Sequence, residues 1–464
     1  MTETVKAESS LAELRAEIAR TTKEIVRLVG RRNQLAQEVG MLKSKASLPA
    51  EDEAVEDALL KEVVSECDRA GLSRTAGFKI FQVLLEESKK AQGLRQTSSP
   101  MASFAKAVAL QRQGVKVIRL DVGEPDFRPP RRVLIGCANA LYGFKTHYTG
   151  PRGIPELTTA LREYIARKQR FEVASEEVMA TPSGRFAVYA ALACTVGEGE
   201  SAVVIEPNWP AYREILASLH ARPLAVRTQL GDAWNPSLEE IKDAIRPNTK
   251  AIVLSYPNNP TGNVITPSLF REIVELADDR DLTVISDEIY NEYSYRPCPS
   301  ILDKPPERFV LTASFSKTWA MTGFRVGYAV SSRETIASMA KIASLTVTSI
   351  PEFIQYGAIE ALNADSDVRR NVRTMKERID AVAEALGQID SLEYLKPDGA
   401  MYYFPELKGY RGTGEKFADH LLNKGVSVTP GSSFGEYPKF FRISLGQPKE
   451  VLLEGVKRMG ELLV

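Results

Sequence analysis

The sequence predicts an all-α N-terminal module followed by a larger α/β domain built on a mostly parallel sheet. Three observations predict it. Residues 11–44 contain no proline and repeat apolar residues at heptad spacing. The stretch GLRQTSSPMA (93–102) is rich in small and turn residues, as a linker is. Beyond it, short β-branched runs (SAVVIEP, KAIVLSYP, LTVISDE, RFVLTAS) alternate with helical stretches such as SLFREIVELADD, the pattern of a parallel sheet covered on both faces.

Bulk composition narrows the function classes. Lys+Arg and Asp+Glu both total 60 in 464 residues, so no basic field favours nucleic acid or an anionic membrane. The first residues, MTETVKAESS, lack the apolar core of a secretory signal. No apolar run approaches the roughly 20 residues that span a bilayer. The four cysteines (Cys67, Cys137, Cys194, Cys298) are far apart with no CxxC pair, and only three histidines occur. A reduced cytoplasmic protein with neither a metal site nor a membrane or nucleic-acid partner is expected.

In the helical module, Leu11, Leu14, Ile18, Ile25, Leu28, Leu35, Val39 and Leu42 form the seam, interrupted by Thr21 and Arg32. Two more helices are expected over 51–70 and 73–92. An arginine among leucines needs an anion, because a buried unpaired charge is costly. Lys43, eleven residues on, lies about 16 Å along the same helix, so both long side chains reach one small dianion. Arg15 lies 17 residues before Arg32, roughly 25 Å away, and joins that ligand only from an antiparallel second chain. An intertwined dimer follows.

The stretches LRAEI, RRNQLAQEVGMLK, EDEAVE and FQVLLEESKKAQ make this module similar to the all-helical intracellular chorismate mutases over Leu11–Gln92. The resemblance implies that Arg32, with Arg15 of the partner subunit, binds the two carboxylates of chorismate. It gives Lys43 and Gln92 to the ether oxygen, Asp52 and Glu56 to the hydroxyl side, and Ser88 to a carboxylate. Catalysis there needs positioning and transition-state electrostatics, with no covalent intermediate. Val55 stands where many members have an arginine.

In the α/β domain, three strand ends carry polar clusters: NNPTG after KAIVLSYP, DEIY after LTVIS, and SFSK after RFVLTA. Open parallel sheets bind ligands outside the carboxyl ends of their strands. A desolvated Lys317 forms a Schiff base with an aldehyde. Asp287 suits a pyridine nitrogen, and Ser314, Ser316 and Arg325 suit a phosphate. Pyridoxal phosphate needs all three functions.

SYPNNPTGNV, SDEIYNEY, SFSKTWAMTGFRVGY and FRISLG, in this order, resemble the motifs of fold-type I, class I aminotransferases from about Gln96 onward. The resemblance implies the PLP-dependent transferase fold over 103–464, after a helical domain over 1–92 and a linker over 93–102. Its large domain would span about 148–380, and its small α+β domain about 103–147 and 381–464. It gives Lys317 to cofactor attachment and proton transfer, Asp287 to the ring nitrogen, and Asn259 and Tyr290 to the phenolic oxygen. Trp209 would stack on the ring. Ser183, Gly184, Arg185 (through its backbone), Ser314, Ser316, Arg325 and Tyr148 of the partner subunit would hold the phosphate. Arg442 would clamp the substrate α-carboxylate, with Gly123 beside the substrate. Arg185, in TPSGRFAVY, stands where an aspartate-using subgroup has a lysine for the distal carboxylate, and Thr149, in HYTGPRG, matches members that accept prephenate.

The joint expectation is a homodimer with shared active sites, converting chorismate to prephenate and aminating prephenate or another dicarboxylic 2-oxo acid. The alternatives are an aspartate or aromatic aminotransferase with a regulatory mutase-like domain, or an aminotransferase-like transcriptional regulator. The regulator is disfavoured by zero net charge and the absence of a recognition helix.

Overall fold

A computed structural model describes residues 3–46, 53–91, 100–112 and 114–463. The chain forms two compact units, Met1–Gln96 and Thr97–Val464. The first consists of α1 (Glu3–Ala46), α2 (Glu53–Arg69) and α3 (Arg74–Ala91). Along α1 the heptad residues Leu14, Ile18, Ile25, Leu28, Leu35 and Leu42 are all more than half exposed. Among the described residues of this unit, nothing covers most of its apolar seam. One side of it, with Ile80, Val83 and Leu84 of α3, lines an apolar cavity of about 490 Å³.

The second unit is organised by a seven-stranded sheet. Its strands are β1 (Val178–Thr181), β2 (Ser201–Glu206), β3 (Arg222–Arg227), β4 (Thr249–Ser255), β5 (Thr283–Asp287), β6 (Phe309–Ser314) and β7 (Gly327–Ser331). They lie in the order β1-β7-β6-β5-β4-β2-β3. Strands β3, β2, β4, β5 and β6 run parallel, whereas β7 is antiparallel to both its neighbours. The sheet is therefore mixed at one edge and parallel through its centre.

Both faces are buried, which is why the strands read as continuous apolar runs. Val203, Ile205, Ile252, Leu254 and Val284 pack on one face, and Ala202, Val204, Ala251, Val253 and Ile285 on the other. A third core joins Leu120 to Met375, Ile379, Tyr402, Phe417, Phe441 and Ile443. There a small sheet pairs β8 (Tyr402–Tyr403) and β9 (Thr429–Pro430) on either side of β10 (Phe441–Ser444). Among the described residues, no helix is long and apolar enough to cross a membrane.

Candidate active site

The central parallel strands deliver their last residues to one edge. β4 ends at Ser255, β5 at Asp287 and β6 at Ser314. Beside them β1 leads into Ser183, which caps α4 (Gly184–Thr195) by accepting a hydrogen bond from the Phe186 amide at 3.2 Å. Ser183 has φ 111°, a conformation strongly favoured only by glycine, so the turn is held under strain by what surrounds it. Packing there is tight: a Cβ on Gly184 would meet the Ser314 Cβ at 2.8 Å, and one on Gly327 the Gly184 nitrogen at 2.7 Å.

A cavity of about 370 Å³ opens at this edge. Gly123, Ser183, Gly184, Arg185, Trp209, Asn259, Asp287, Tyr290, Ser314, Ser316, Lys317, Arg325 and Arg442 all line it. Lys317 follows β6 in a single helical turn, and its ammonium donates to the Gly123 carbonyl. Burial lowers its pKa to about 8, against the opposing pull of Glu124; Arg442 and Arg325 lower it further. Burial likewise raises the Asp287 carboxyl to about 6, opposed first by the Tyr212 hydroxyl, which donates to Oδ2 at 2.6 Å.

Arg442 is buried on β10. Its Nη1 donates to Asn259 Oδ1 at 2.8 Å and its Nη2 to the Asp121 carbonyl at 2.7 Å. Tyr402 and Phe434 stack beneath its guanidinium carbon at 4.5 and 4.9 Å. Its Nε is buried and has no acceptor among the described residues. Arg185 lies with its guanidinium 4.5 Å from the Trp209 ring centroid, so the cavity holds a second cation with its own aromatic support. Arg325, exposed and in the left-handed region (φ 58°), donates to the Thr322 carbonyl at 2.7 Å.

Tyr148 and Thr149 stand apart from this cavity. Tyr148 is 88% exposed. The Thr149 hydroxyl accepts from Gln355 Nε2 at 2.9 Å, and its amide donates to the Ser349 hydroxyl at 3.3 Å. The cavity also has walls that sequence reasoning missed: Asp121, Val122, Tyr212, Ser255, Ile289, Tyr402 and Phe434. Tyr212 carried a faint signal, three residues after Trp209; no local pattern distinguishes Tyr402 and Phe434 from core aromatics.

In the helical unit, the Arg32 guanidinium donates to the Leu84 carbonyl and to the Ser88 hydroxyl. Ser88 in turn donates to the Leu84 carbonyl at 2.9 Å. Burial lowers the Arg32 pKa. Among the described residues Arg32 has no carboxylate partner within salt-bridge distance, so α1 and α3 present a cation whose local partners are neutral. Lys43 lies half-buried farther along α1, while Arg15 is exposed towards its other end. Asp52 and Gln92, and the side chain of Glu56, lie outside the described residues. Among the described residues no His, Cys, Asp or Glu cluster has the makings of a metal site.

The donor set fits a phosphorylated pyridine aldehyde. A buried amine of lowered basicity, a buried carboxyl, an aromatic wall and a hydroxyl-rich helix start share one cavity. The family model described as aminotransferase class I and II matches residues 115–459, and that described as chorismate mutase type II matches residues 14–93. The aspartate/prephenate aminotransferase of Thermus thermophilus is 32% identical over 383 residues, covering 81% of this chain and 98% of that protein. The aspartate aminotransferase of Thermotoga maritima is 34% identical over 370 residues, covering 79% of this chain and 96% of that protein. Its crystal structure superposes with a TM-score of 0.75, covering 80% of this chain and 97% of that one. The Thermus thermophilus aspartate aminotransferase solved with maleate gives a TM-score of 0.76 at 32% identity, covering 81% of this chain and 99% of that one.

Proposed function

Because the chain belongs to the class I and II aminotransferases, uses pyridoxal phosphate and carries a type II chorismate mutase domain, we propose that it is a bifunctional enzyme of aromatic amino-acid biosynthesis. One unit rearranges chorismate to prephenate; the other transfers an amino group from aspartate or glutamate to prephenate. The observation that carries the dicarboxylic substrate is the pair of guanidiniums in the Lys317 cavity, Arg442 and Arg185, each backed by aromatic rings. A relative named for both aspartate and prephenate supports the same substrate class.

When bound, pyridoxal phosphate supplies an electron sink for the carbanion formed at the substrate Cα. Asp287, ionised above about pH 6, holds a proton at the ring nitrogen. The Lys317 amine, its pKa lowered to about 8 by burial, would hold the cofactor's aldehyde carbon and, when free, move the proton at the substrate Cα. Ser183, the Gly184 and Arg185 amides, Ser314, Ser316 and Arg325 hold the phosphate, and Trp209 covers one ring face. Asn259 and Tyr290 address the phenolic oxygen. Arg442 receives the carboxylate beside the keto group, which satisfies its orphaned Nε, and Arg185 takes the distal carboxylate.

In the helical unit, Arg32 and Ser88 bind one end of chorismate, with Lys43, Asp52, Glu56 and Gln92 completing the site. Arg15 arrives from the partner subunit. The α1 seam, together with exposed Tyr142, Phe144, Tyr148 and Leu345 on the second unit, supports a homodimer that shares its active sites. Val55, at a position held by arginine in many mutases, favours the second reading, a regulatory helical domain.

The test is to measure kcat/KM for prephenate, oxaloacetate and phenylpyruvate with one amino donor, and chorismate turnover by the same protein. Preference for phenylpyruvate sinks the dicarboxylic reading; absence of chorismate turnover leaves the helical unit regulatory.

A further inference from the structure

We propose that Tyr402 is a positioning residue for transamination, donating its hydroxyl proton to Tyr290 and so directing the single proton of Tyr290 at the cofactor's phenolic oxygen. This rests on the assignment of Tyr290 to that oxygen.

Tyr290 and Tyr402, 112 residues apart, are buried side by side, with 4% and 1% of their surfaces exposed. Their rings meet edge to face, centroids 5.6 Å apart at 84°, and their hydroxyls are hydrogen-bonded to each other. Both line the Lys317 cavity. Among the described residues neither hydroxyl has another hydrogen-bond partner.

A phenol carries one proton and can both donate and accept. Two hydroxyls sharing one bond therefore leave one proton unspent, and the direction of the bond decides which residue keeps it. If Tyr402 donates, the free proton sits on Tyr290; if Tyr290 donates, it sits on Tyr402.

The surroundings make Tyr402 the donor. The Arg442 guanidinium carbon stands 4.5 Å over the Tyr402 ring, drawing electron density from its oxygen. Burial raises both phenols; at Tyr402 the next influence is Arg442, which lowers it, whereas at Tyr290 the neighbouring Tyr402 raises the group further and outweighs the lowering by Arg442. Between two hydrogen-bonded phenols the more acidic one donates. Space is set for this arrangement: a Cβ on Gly123 would lie 2.4 Å from the Tyr402 hydroxyl, so only glycine leaves that oxygen its place. The Gly123 carbonyl in turn accepts from Lys317. Arg442 thereby reaches the phenolic oxygen through two hydroxyls, and a donating Tyr402 strengthens the next bond in the chain.

The experiment is a spectrophotometric pH titration of the bound cofactor's visible chromophore in four holoenzymes: wild type, Tyr402→Phe, Tyr290→Phe and the double variant. Both substitutions keep the ring and its packing, and the visible band itself reports a loaded, folded site. Tyr290→Phe is expected to raise the chromophore pKa by about one unit or more. Tyr402→Phe is expected to raise it by roughly a few tenths of a unit, with no added effect in the Tyr290→Phe background. An unchanged pKa in Tyr402→Phe, or an equal shift with and without Tyr290, overturns the relay alone. An unchanged pKa in Tyr290→Phe overturns the assignment of Tyr290 and the relay with it.

Discussion

The Tyr212 hydroxyl donates to Asp287 Oδ2 at 2.6 Å, and both groups are buried. The contact opposes the desolvation that pushes the carboxyl up to about 6, so it helps to keep Asp287 ionised near neutrality. Tyr212→Phe is expected to weaken cofactor binding roughly tenfold, the effect of losing one hydrogen bond to a charged group. Fluorescence titration of the apoenzyme with pyridoxal phosphate measures this; unchanged affinity would refute the role.

Lys317→Ala is expected to remove the cofactor's covalent attachment and lower transamination by about a thousandfold or more. After desalting, the variant should keep no cofactor absorbance, while chorismate turnover continues. A retained visible band would sink the assignment of Lys317.

Arg32 holds Ser88 and the Leu84 carbonyl in the helical unit, remote in sequence from Lys317. Arg32→Ala is expected to cut chorismate rearrangement by roughly 10²–10³, as loss of a positioned charge does. Transamination should be unaffected. Loss of both activities would indicate unfolding rather than a catalytic role.

Arg185 is exposed to the cavity and stacked on Trp209. Arg185→Gln is expected to raise the KM for oxaloacetate or prephenate about tenfold while changing that for phenylpyruvate little. Equal increases for all three would argue against a distal clamp.

The Lys317 amine is depressed from 10.5 to about 8 by burial. In the apoenzyme, the unfolded chain therefore binds more protons at this group than the folded one between about pH 8 and 10.5, so its contribution to stability rises with pH across that window. Lys317→Met should stabilise the apoenzyme by on the order of 2 kcal/mol at pH 7, and less as pH approaches 10. Denaturant unfolding of both proteins across this range checks the sign; a gap that widens with pH would contradict it.

The division into a helical unit and an α/β unit was legible because a heptad seam and fully buried strands have different periods, and both survive in one sequence. Lys317, Asp287 and Asn259 were legible for a related reason. In a parallel sheet all carboxyl ends share an edge, so polar residues that end apolar runs must converge. The reversal of β7, one strand in from the edge, was not, since an antiparallel strand buried on both faces has the same apolar run as a parallel one.

The sequence by itself determined which chemical groups the strand ends offer and that an arginine interrupts the α1 seam. Only the tertiary structure decided their partners: Tyr212 for Asp287, 75 residues away, Tyr402 for Tyr290, and the Asp121 carbonyl for Arg442, 321 residues away. The reason is physical. A buried tyrosine has the same local pattern whether its hydroxyl meets a carboxylate or another phenol, and long-range packing alone sets which it meets.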